Sequence, residues 1–262
     1  MDKRNKRLDE ILQILKHKNA ESIKRLSEAL DVSQMTIRRD IRLLAERNLV
    51  ESFHGGAIYN EDGAADGHES PDHHYHLPTE GKRRQSEKAR IARKAAALIE
   101  PDDIIIIDSG STTERLATFL PSDFPVTVLC YTLNVLVEIY KKPNCTIIFP
   151  GGYFHPGTLL FESHDGAELI KRNRANKGFF AAGGVSPELG VTCSSPYAVP
   201  NKRAAIDSSL CRILLADSSK FGKVRAAHYA ELSEFTTVIT DSGISEEQQD
   251  LIRELDIELI IV

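Results

Sequence analysis

Apolar residues near the amino end recur at helical spacing and predict three helices followed by a hairpin. The first stripe falls at i, i+3, i+4 and i+7 and consists of Leu8, Ile11, Leu12 and Leu15. The second consists of Ile23, Leu26 and Leu30, and the third of Ile37, Ile41 and Leu44. Ser33 is placed to cap the third helix, which we expect to end at Arg47 or Asn48. Two short strands around Gly55-Gly56 then fit a β-hairpin.

From Gly81 onward, short apolar runs alternate with helical stretches. The predicted strands are Ile104–Ile107, Val126–Cys130, Thr146–Phe149, Gly178–Ala182, Ile213–Ala216, Thr237–Thr240 and Leu259–Val262. The predicted helices are Lys82–Ile99, Thr112–Phe119, Leu133–Tyr140, Glu162–Lys171, Tyr197–Leu210 and Glu246–Leu255. This alternation is typical of an α/β fold with a mainly parallel sheet that helices cover on both faces.

The stretch between these two patterns has almost no apolar spacing. Residues 60–80 contain six acids, four histidines, two glycines and two prolines, with no lysine or arginine. We interpret this stretch as a linker with little structure of its own. The sequence therefore predicts a small domain at 1–59, a linker at 60–80 and a larger domain at 81–262.

Composition places the chain among globular proteins and favours the cytoplasm. Of its 262 residues, 41% are hydrophobic and 27% are charged. No apolar run approaches the roughly 18–20 residues of a membrane-spanning helix, and charge occupies the place where a secretory signal would be apolar. The four cysteines are widely spaced, which favours reduced, buried thiols over a disulfide frame or a zinc site.

The net charge of −5 hides a split between the two parts of the chain. Residues 1–58 have 12 lysines and arginines against 9 acids, a net charge of +3, whereas the remainder has 21 against 29, a net charge of −8. This asymmetry favours a small module that meets a polyanion, joined to an acidic body.

The face of the third helix opposite its apolar stripe is rich in arginine. It groups Gln34, Met35, Arg38, Arg39 and Arg42. Guanidinium groups bind phosphates, or guanine O6 and N7 in the major groove. A solvated helix face, with the arginines paired to Asp40 and Glu46, explains the same spacing equally well. Spacing alone leaves both interpretations open.

The loops that follow the predicted strands contain groups suited to an anion. Asp108-Ser109-Gly110-Ser111-Thr112-Thr113 runs directly into a helix, whose N–H groups favour a phosphate. Gly151-Gly152, Gly183-Gly184 and the Lys220 loop follow other strands. Ligands of open parallel sheets bind at the carboxyl ends of the strands, so we expect these loops to converge.

A specific resemblance decides between the interpretations of the third helix. The string V-S-Q-M-T-I-R-R-D-I at 32–41, with H-G-G-A at 54–57, resembles the amino-terminal signature of the DeoR family of bacterial transcriptional regulators. It covers nearly all of residues 4–58 and implies a winged helix-turn-helix. The residues that the resemblance places along DNA are Ser33, Gln34, Met35, Thr36, Arg38, Arg39, Arg42, His54 and Gly55.

Residues 82–262 resemble the effector domain of the same family. The matching segments are I-I-I-D-S-G-S-T-T (105–113), P-G-G (150–152), A-A-G-G-V (181–185), G-V-T (190–192) and A-D-S-S-K-F-G (216–222). The resemblance implies a fold related to ribose-5-phosphate isomerase and recognition of phosphorylated sugars. Tyr197 is a departure, because many members have a glutamate there, and it bears on which sugar is recognised. The predicted effector-binding residues are Asp108, Ser109, Gly110, Ser111, Thr112, Thr113, Gly151, Gly152, Tyr197, Lys202 and Lys220.

Two hypotheses from different classes follow. The first is a homo-oligomeric repressor of a sugar or nucleoside catabolic operon that a phosphorylated sugar releases from operator DNA. The alternative is a sugar-phosphate isomerase or deaminase with an accessory helix-turn-helix. The lack of an identifiable acid–base pair favours the regulator over the enzyme, although sequence does not separate a repressor from an activator. No cofactor is predicted, and the histidines at 68, 73, 74 and 76 are interpreted as solvated linker residues rather than a metal site.

Overall fold

The computed structural model describes residues 3–47, 49–53, 55–59 and 77–262. The amino-terminal elements are α1 Lys3–Lys18, β1 Ala20–Ser22, α2 Ile23–Ala29, α3 Gln34–Glu46, β2 Val50–Phe53 and β3 Gly56–Tyr59. The three predicted helices and the hairpin are confirmed. Strand β1 was not predicted, because three residues are too few to establish an alternating pattern.

The helix-turn-helix has capped helices and its own core. Ser22 Oγ accepts a hydrogen bond from the Arg25 N–H at 3.1 Å, and Ser33 Oγ accepts one from the Thr36 N–H at 3.2 Å. These bonds satisfy N–H groups that have no acceptor within the first turn. The residues of the predicted stripes pack together in this core, which contains Leu8, Ile11, Leu15, Ile23, Leu26, Ile37, Ile41 and Leu44.

The wing is a three-stranded antiparallel sheet in which β3 lies between β1 and β2. Gly55 turns the chain between β2 and β3 with φ +99°, a conformation that favours glycine. Its carbonyl accepts a hydrogen bond from the Ile23 N–H at 2.8 Å, which ties the turn to the start of α2. The predicted DNA contact His54 lies outside the described residues.

The larger part of the chain is an α/β domain built on a seven-stranded sheet. Its helices are α4 Leu77–Lys82, α5 Gln85–Ala96, α6 Ser111–Thr118, α7 Leu133–Ile139, α8 His164–Arg172, α9 Val199–Ser208 and α10 Glu246–Glu254. Its strands are β4 Ile104–Ile107, β5 Val126–Cys130, β6 Cys145–Ile148, β7 Tyr153–His155, β8 Leu160–Glu162, β9 Ala175–Ala181, β10 Gly184–Ser186, β11 Gly190–Cys193, β12 Ser209–Leu215, β13 Ala227–Ala230, β14 Thr237–Thr240 and β15 Glu258–Ile261. The sheet has the order β15-β14-β12-β9-β4-β5-β6, with every pair of neighbours parallel. All seven predicted strands belong to it.

Alternate side chains of β4, which lies next to the central strand β9, enter two separate cores. Ile105 and Ile107 pack on the face covered by α5, α6 and α7, whereas Ile106 packs on the face of α8, α9 and α10. This alternation explains why a continuous apolar run is needed in a strand with no solvent-exposed face.

The structure differs from the sequence-based expectation at several element boundaries. The predicted helix Lys82–Ile99 is divided into α4 and α5, because Arg84 adopts a left-handed conformation with φ +48°. Residues 77–80 belong to α4 rather than to the linker in which the sequence placed them. Glu162 ends β8 rather than beginning a helix, and Ser209-Leu210 begin β12.

Two small antiparallel units were also missed by the sequence-based prediction. Strands β7 and β8 form a hairpin, and β10, β11 and β13 form a separate sheet. In the described part of the chain, no helix is both long enough and apolar enough to cross a lipid bilayer.

Candidate DNA-binding surface and effector cavity

One face of α3 projects its side chains into solvent. Gln34, Met35, Arg38, Arg39 and Arg42 are exposed, and Thr36 is half-buried. Met35 is 60% exposed. The opposite face is buried in the core of the helix-turn-helix. The predicted recognition face is therefore available for contact with another molecule.

Asp40, a carboxylate expected to pair with these arginines if the face is only solvated, forms its ion pairs with α1 instead. Asp40 is 1% exposed and forms ion pairs with Arg7 at 2.6 Å and Arg4 at 3.5 Å, both on α1. Asp40 thus fixes α1 against α3 and leaves the exposed arginines of α3 unneutralised. Among the described residues, Arg38, Arg39 and Arg42 have no carboxylate partner. A paired, solvated helix face is not what the structure contains.

A cavity opens where the strand order of the sheet reverses, between the carboxyl ends of β4 and β9. It is open to solvent, and the space inside it, counted out to the open mouth, is about 610 Å³. The lining residues are Leu77, Glu80, Ser109, Gly110, Ser111, Thr112, Thr158, Ala181, Ala182, Gly183, Cys193, Ser194, Ser195, Ala198, Lys202, Leu215, Ala216 and Lys220. Such a reversal is where open α/β sheets bind ligands.

The amino end of α6 forms one wall of this cavity. Ser111 and Thr112 line the cavity, and no side chain caps the helix there, so its first N–H groups have no side-chain acceptor. Gly110 precedes the helix, and a Cβ at that position would lie 2.3 Å from the Cβ of Ala181. Only glycine therefore lets the end of α6 approach β9 this closely. The helix end and its dipole favour an anion.

A lysine and a glutamate face each other at the cavity wall. Lys220 Nζ donates to Glu80 Oε2 at 3.0 Å, and Arg83 donates to Glu80 Oε1 at 3.0 Å. Burial raises the pKa of the Glu80 carboxyl, but Lys220, Lys88 and Arg83 outweigh burial and hold that pKa below its ordinary value. Glu80 is therefore a carboxylate at neutral pH.

Arg84 connects the cavity loops to the helices behind them. Its guanidinium donates to Ser218 Oγ at 2.8 Å and forms ion pairs with Asp217 at 3.4 Å and Asp241 at 3.5 Å. Asp217 and Asp241 are 1% and 2% exposed and follow β12 and β14. This cluster fixes the loop that bears Lys220.

We expect Asp241 to make stability depend on pH in the acid range. Burial raises its pKa, but hydrogen bonds from Ser218 and Gly243, together with Arg84, hold the pKa below the ordinary value of 3.8. A carboxyl group whose pKa is lower in the folded protein than in the unfolded chain stabilises the fold fully at pH values above its unfolded pKa. This stabilisation disappears as the pH falls through the folded pKa. Urea unfolding of Asp241→Asn between about pH 5 and pH 2 should show a flatter acid limb than wild type. An acid limb unchanged in slope would contradict this assignment.

Asp108 lies behind the cavity wall rather than in it. Its side chain is 0% exposed and accepts hydrogen bonds from Tyr131 Oη, from Lys202 Nζ and, at 3.0 Å, from the Ala181 N–H. Burial and the Asp108 charge raise the pKa of Tyr131 well above its ordinary value, so the phenol remains a donor. Asp108 therefore holds the end of β4 to β9 and orients Lys202, which does line the cavity.

The structure brings together six of the eleven predicted effector residues. Ser109, Gly110, Ser111, Thr112, Lys202 and Lys220 line the cavity, and Asp108 and Thr113 lie directly behind it. Gly151 and Gly152 do not line it, because they follow β6 at the edge of the sheet. Gly152 instead permits a close approach to the end of β8, since a Cβ there would lie 2.4 Å from the Glu162 carbonyl oxygen.

Tyr197 reaches the cavity only through another residue. Its ring stacks on His155 with the ring centroids 3.7 Å apart, and its hydroxyl lies 3.1 Å from Thr158 Oγ1. Tyr197 thus contacts Thr158, which lines the cavity, and does not line the cavity itself.

The sequence-based prediction also missed several lining residues. Thr158 belongs to the unpredicted β7–β8 hairpin, and Glu80 lies in the stretch interpreted as linker. The described residues contain no group of His, Cys, Asp and Glu side chains that could hold a metal ion, and the four linker histidines lie outside them.

Comparison with known proteins finds two domain models that match this chain. The model of the DeoR-like helix-turn-helix domain matches residues 7–62, and that of the DeoR C-terminal sensor domain matches residues 83–242. Among solved structures, ribose 5-phosphate isomerase A from Neisseria gonorrhoeae is 17% identical with a TM-score of 0.39, over 56% of each chain.

Several relatives are similar over almost their whole length. The deoxyribose operon repressor of Escherichia coli K12 is 33% identical over 91% of each chain. The lactose phosphotransferase system repressor of Staphylococcus epidermidis is 31% identical over 94% of this chain and 95% of its own. These relatives are named as repressors, which supports a regulator rather than an enzyme. Both domain models and these identities show that the chain belongs to the DeoR family of helix-turn-helix transcriptional regulators.

Proposed function

We propose that this protein represses a sugar or nucleoside catabolic operon and leaves its operator when a phosphorylated sugar enters the cavity. The recognition face of α3 and the wing at Gly55 bind the DNA. The repressor names of its relatives support this function, as do the unneutralised arginines of α3. Homo-oligomers are expected, because paired helix-turn-helix domains read paired half-sites.

The arrangement of the cavity is the observation that most supports the effector class. A helix amino end without a side-chain cap and the Lys220 ammonium line the same cavity. A phosphate accepts hydrogen bonds from both, whereas a neutral sugar hydroxyl gains little from either. The sugar is expected to lie against the polar lining of Thr158, Ser194 and Ser195. The relative's name makes deoxyribose the first sugar to test, in its phosphorylated form.

Lys220→Ala should weaken the binding of deoxyribose 5-phosphate at least tenfold, or about 1.4 kcal/mol, because it removes a charge-assisted hydrogen bond. Isothermal titration calorimetry of the full-length protein measures this change. Lys171→Ala serves as the matched control, since Lys171 is an exposed lysine of α8 that pairs only with Glu168 among the described residues. Equal affinities of Lys220→Ala and wild type would remove Lys220 from the site.

Release from DNA is then a coupling between two sites, and it is reciprocal. If the effector weakens operator binding by a given factor, operator DNA must weaken effector binding by the same factor. Titrating deoxyribose 5-phosphate in the presence and absence of saturating operator therefore tests the mechanism from both sides. An effector affinity that DNA leaves unchanged would contradict the proposed release.

A further inference from the structure

Lys220, on which effector binding is proposed to depend, already donates a hydrogen bond to a carboxylate of the chain, that of Glu80. Glu80 is 8% exposed, lines the cavity and accepts the hydrogen bond of Lys220 at 3.0 Å. Lys220 is itself only 16% exposed at its side chain. An anion that enters the cavity and binds Lys220 therefore has to compete with Glu80.

Three cationic side chains, Lys220, Lys88 and Arg83, act on Glu80, and Asp217 is a second carboxylate that acts on Lys88. Lys88 is 1% exposed, and its Nζ donates to the backbone carbonyl of Glu80 at 2.6 Å. Burial and the nearby charge of Lys220 lower the pKa of Lys88, which indicates two lysines close together. A phosphate monoester bears about −1.5 to −2 charges at pH 7 and has three acceptor oxygens. On Lys220 it would bring more negative charge close to the buried Lys88 than the Glu80 carboxylate does.

Helix α4 is held on two sides of the cavity. Leu77, at its start, is 1% exposed, lines the cavity and donates its N–H to the Gly157 carbonyl at 2.9 Å. Glu80, near its end, binds Lys220 in the loop after β12. In the chain, α4 follows residues 60–76, which connect the sensor domain to the helix-turn-helix. A change in the attachment of α4 therefore acts on the covalent connection between the two domains.

We propose that Glu80 selects for phosphorylated effectors: the effector phosphate replaces the Glu80 carboxylate on Lys220, and this exchange loosens α4, which keeps the main-chain hydrogen bonds of Leu77 with Gly157 and of Glu80 with Lys88. The inference rests on the proposed function, because it requires a phosphorylated sugar in this cavity. A neutral sugar cannot make the exchange, since it would leave partly buried lysines without a counter-charge. The same exchange supplies a route from the cavity to the segment that leads to the DNA-binding domain.

The first test measures affinity with the competing carboxylate removed. Glu80→Gln keeps the size of the side chain, and it should bind deoxyribose 5-phosphate about tenfold more tightly than wild type in calorimetry. Glu87→Gln is the matched control, because Glu87 lies on α5, pairs with Arg84 at 3.6 Å and does not line the cavity. It should bind like wild type, and neither protein should bind unphosphorylated deoxyribose.

A double-mutant cycle shows whether the effect acts through Lys220. In the Lys220→Ala background, Glu80→Gln should change the dissociation constant less than about twofold, because the shared partner is gone. Equal tightening in both backgrounds would overturn the proposed competition. The proposed competition would also be overturned if the Glu80→Gln protein unfolds at the wild-type temperature but binds deoxyribose 5-phosphate no more tightly than wild type.

Hydrogen exchange of the wild-type protein tests the loosening of α4 without any substitution. Saturating deoxyribose 5-phosphate should raise the exchange rate of the Leu77–Lys82 amides. Unchanged or slower exchange on binding would overturn the loosening. Wild-type protein that binds neither deoxyribose 5-phosphate, ribose 5-phosphate nor inorganic phosphate would overturn the proposed function itself. If the wild-type protein binds one of these ligands, but Glu80→Gln does not tighten binding and the exchange of the α4 amides does not rise, only this inference is overturned.

Discussion

Replacing Arg38 and Arg39 together with alanine is expected to abolish operator binding and to leave the sensor domain intact. Both side chains are exposed on α3 and have no carboxylate partner among the described residues, so their removal leaves no buried charge behind. A bidentate contact between arginine and guanine contributes about 1–3 kcal/mol, so loss of two should weaken binding by about thirtyfold or more. If either arginine binds a phosphate instead, the salt dependence of binding should also become less steep, by about one unit per lost contact.

The measurement is an electrophoretic mobility shift on a duplex that the wild-type protein selects from a random library. Lys141→Ala with Arg253→Ala removes the same two charges from exposed positions of the sensor domain and controls for net charge. Calorimetry with deoxyribose 5-phosphate should give the wild-type affinity for both double variants. If the Arg38/Arg39 variant shifts DNA at wild-type concentrations, the α3 face is not the DNA-binding surface.

The helix-turn-helix could be predicted because its determinants are local. The stripe Ile37, Ile41 and Leu44 fixes which face of α3 is buried, and Ser33 fixes where the helix starts. The exposed arginines follow from the same 3.6-residue period. The partners of Asp40 were not predictable, because Arg4 and Arg7 lie about 35 residues earlier and meet Asp40 only when α1 packs on α3.

The strands of the main sheet could be predicted individually, but their order could not. Ile105, Ile106 and Ile107 form an apolar run because both faces of the strand are buried there, and that property is visible without knowing the neighbouring strands. The order places β4 beside β9 and leaves β6 at the edge. The Gly151-Gly152 loop therefore follows a strand with the expected composition, yet it lies away from the cavity.

Glu80 shows how composition can conceal a site residue. It ends a stretch of 21 residues rich in acids, histidines and prolines, which is typical of a solvated linker. Helix α4 spans six residues, too few for a hydrophobic period to be recognised. The hydrogen bond from the Leu77 N–H to Gly157 and the ion pair of Glu80 with Lys220 join residues 80 and 140 positions apart in the chain. Such contacts define the cavity wall but have no signature in the local sequence.

Removal of the Asp108 carboxylate is expected to have the largest effect on stability. Asp108 is 0% exposed and Lys202 is 2% exposed at the side chain, so the pair is hidden from solvent. Without Asp108, the partners that Lys202 Nζ retains among the described residues are the Ala181 carbonyl and the Tyr229 ring. The carbonyl oxygen lies at 3.2 Å and the ring centroid at 4.6 Å. Breaking a buried pair from one side costs about 3–5 kcal/mol. Asp108→Ala should therefore lose a large share of the free energy of unfolding.

Chemical denaturation of the full-length variants measures this loss. Asp123→Ala, which removes an exposed carboxylate, should stay within about 0.5 kcal/mol of wild type. Asp108→Ala combined with Lys202→Met should be more stable than Asp108→Ala alone, because it removes the unpaired ammonium as well as its partner. A combined variant no more stable than the single one would show that the hydrogen bonds from Tyr131 and Ala181, rather than the charge of Lys202, make Asp108 necessary. In that case Lys202 would be held at the cavity by its contacts with Ala181 and Tyr229, and its position should survive the loss of Asp108.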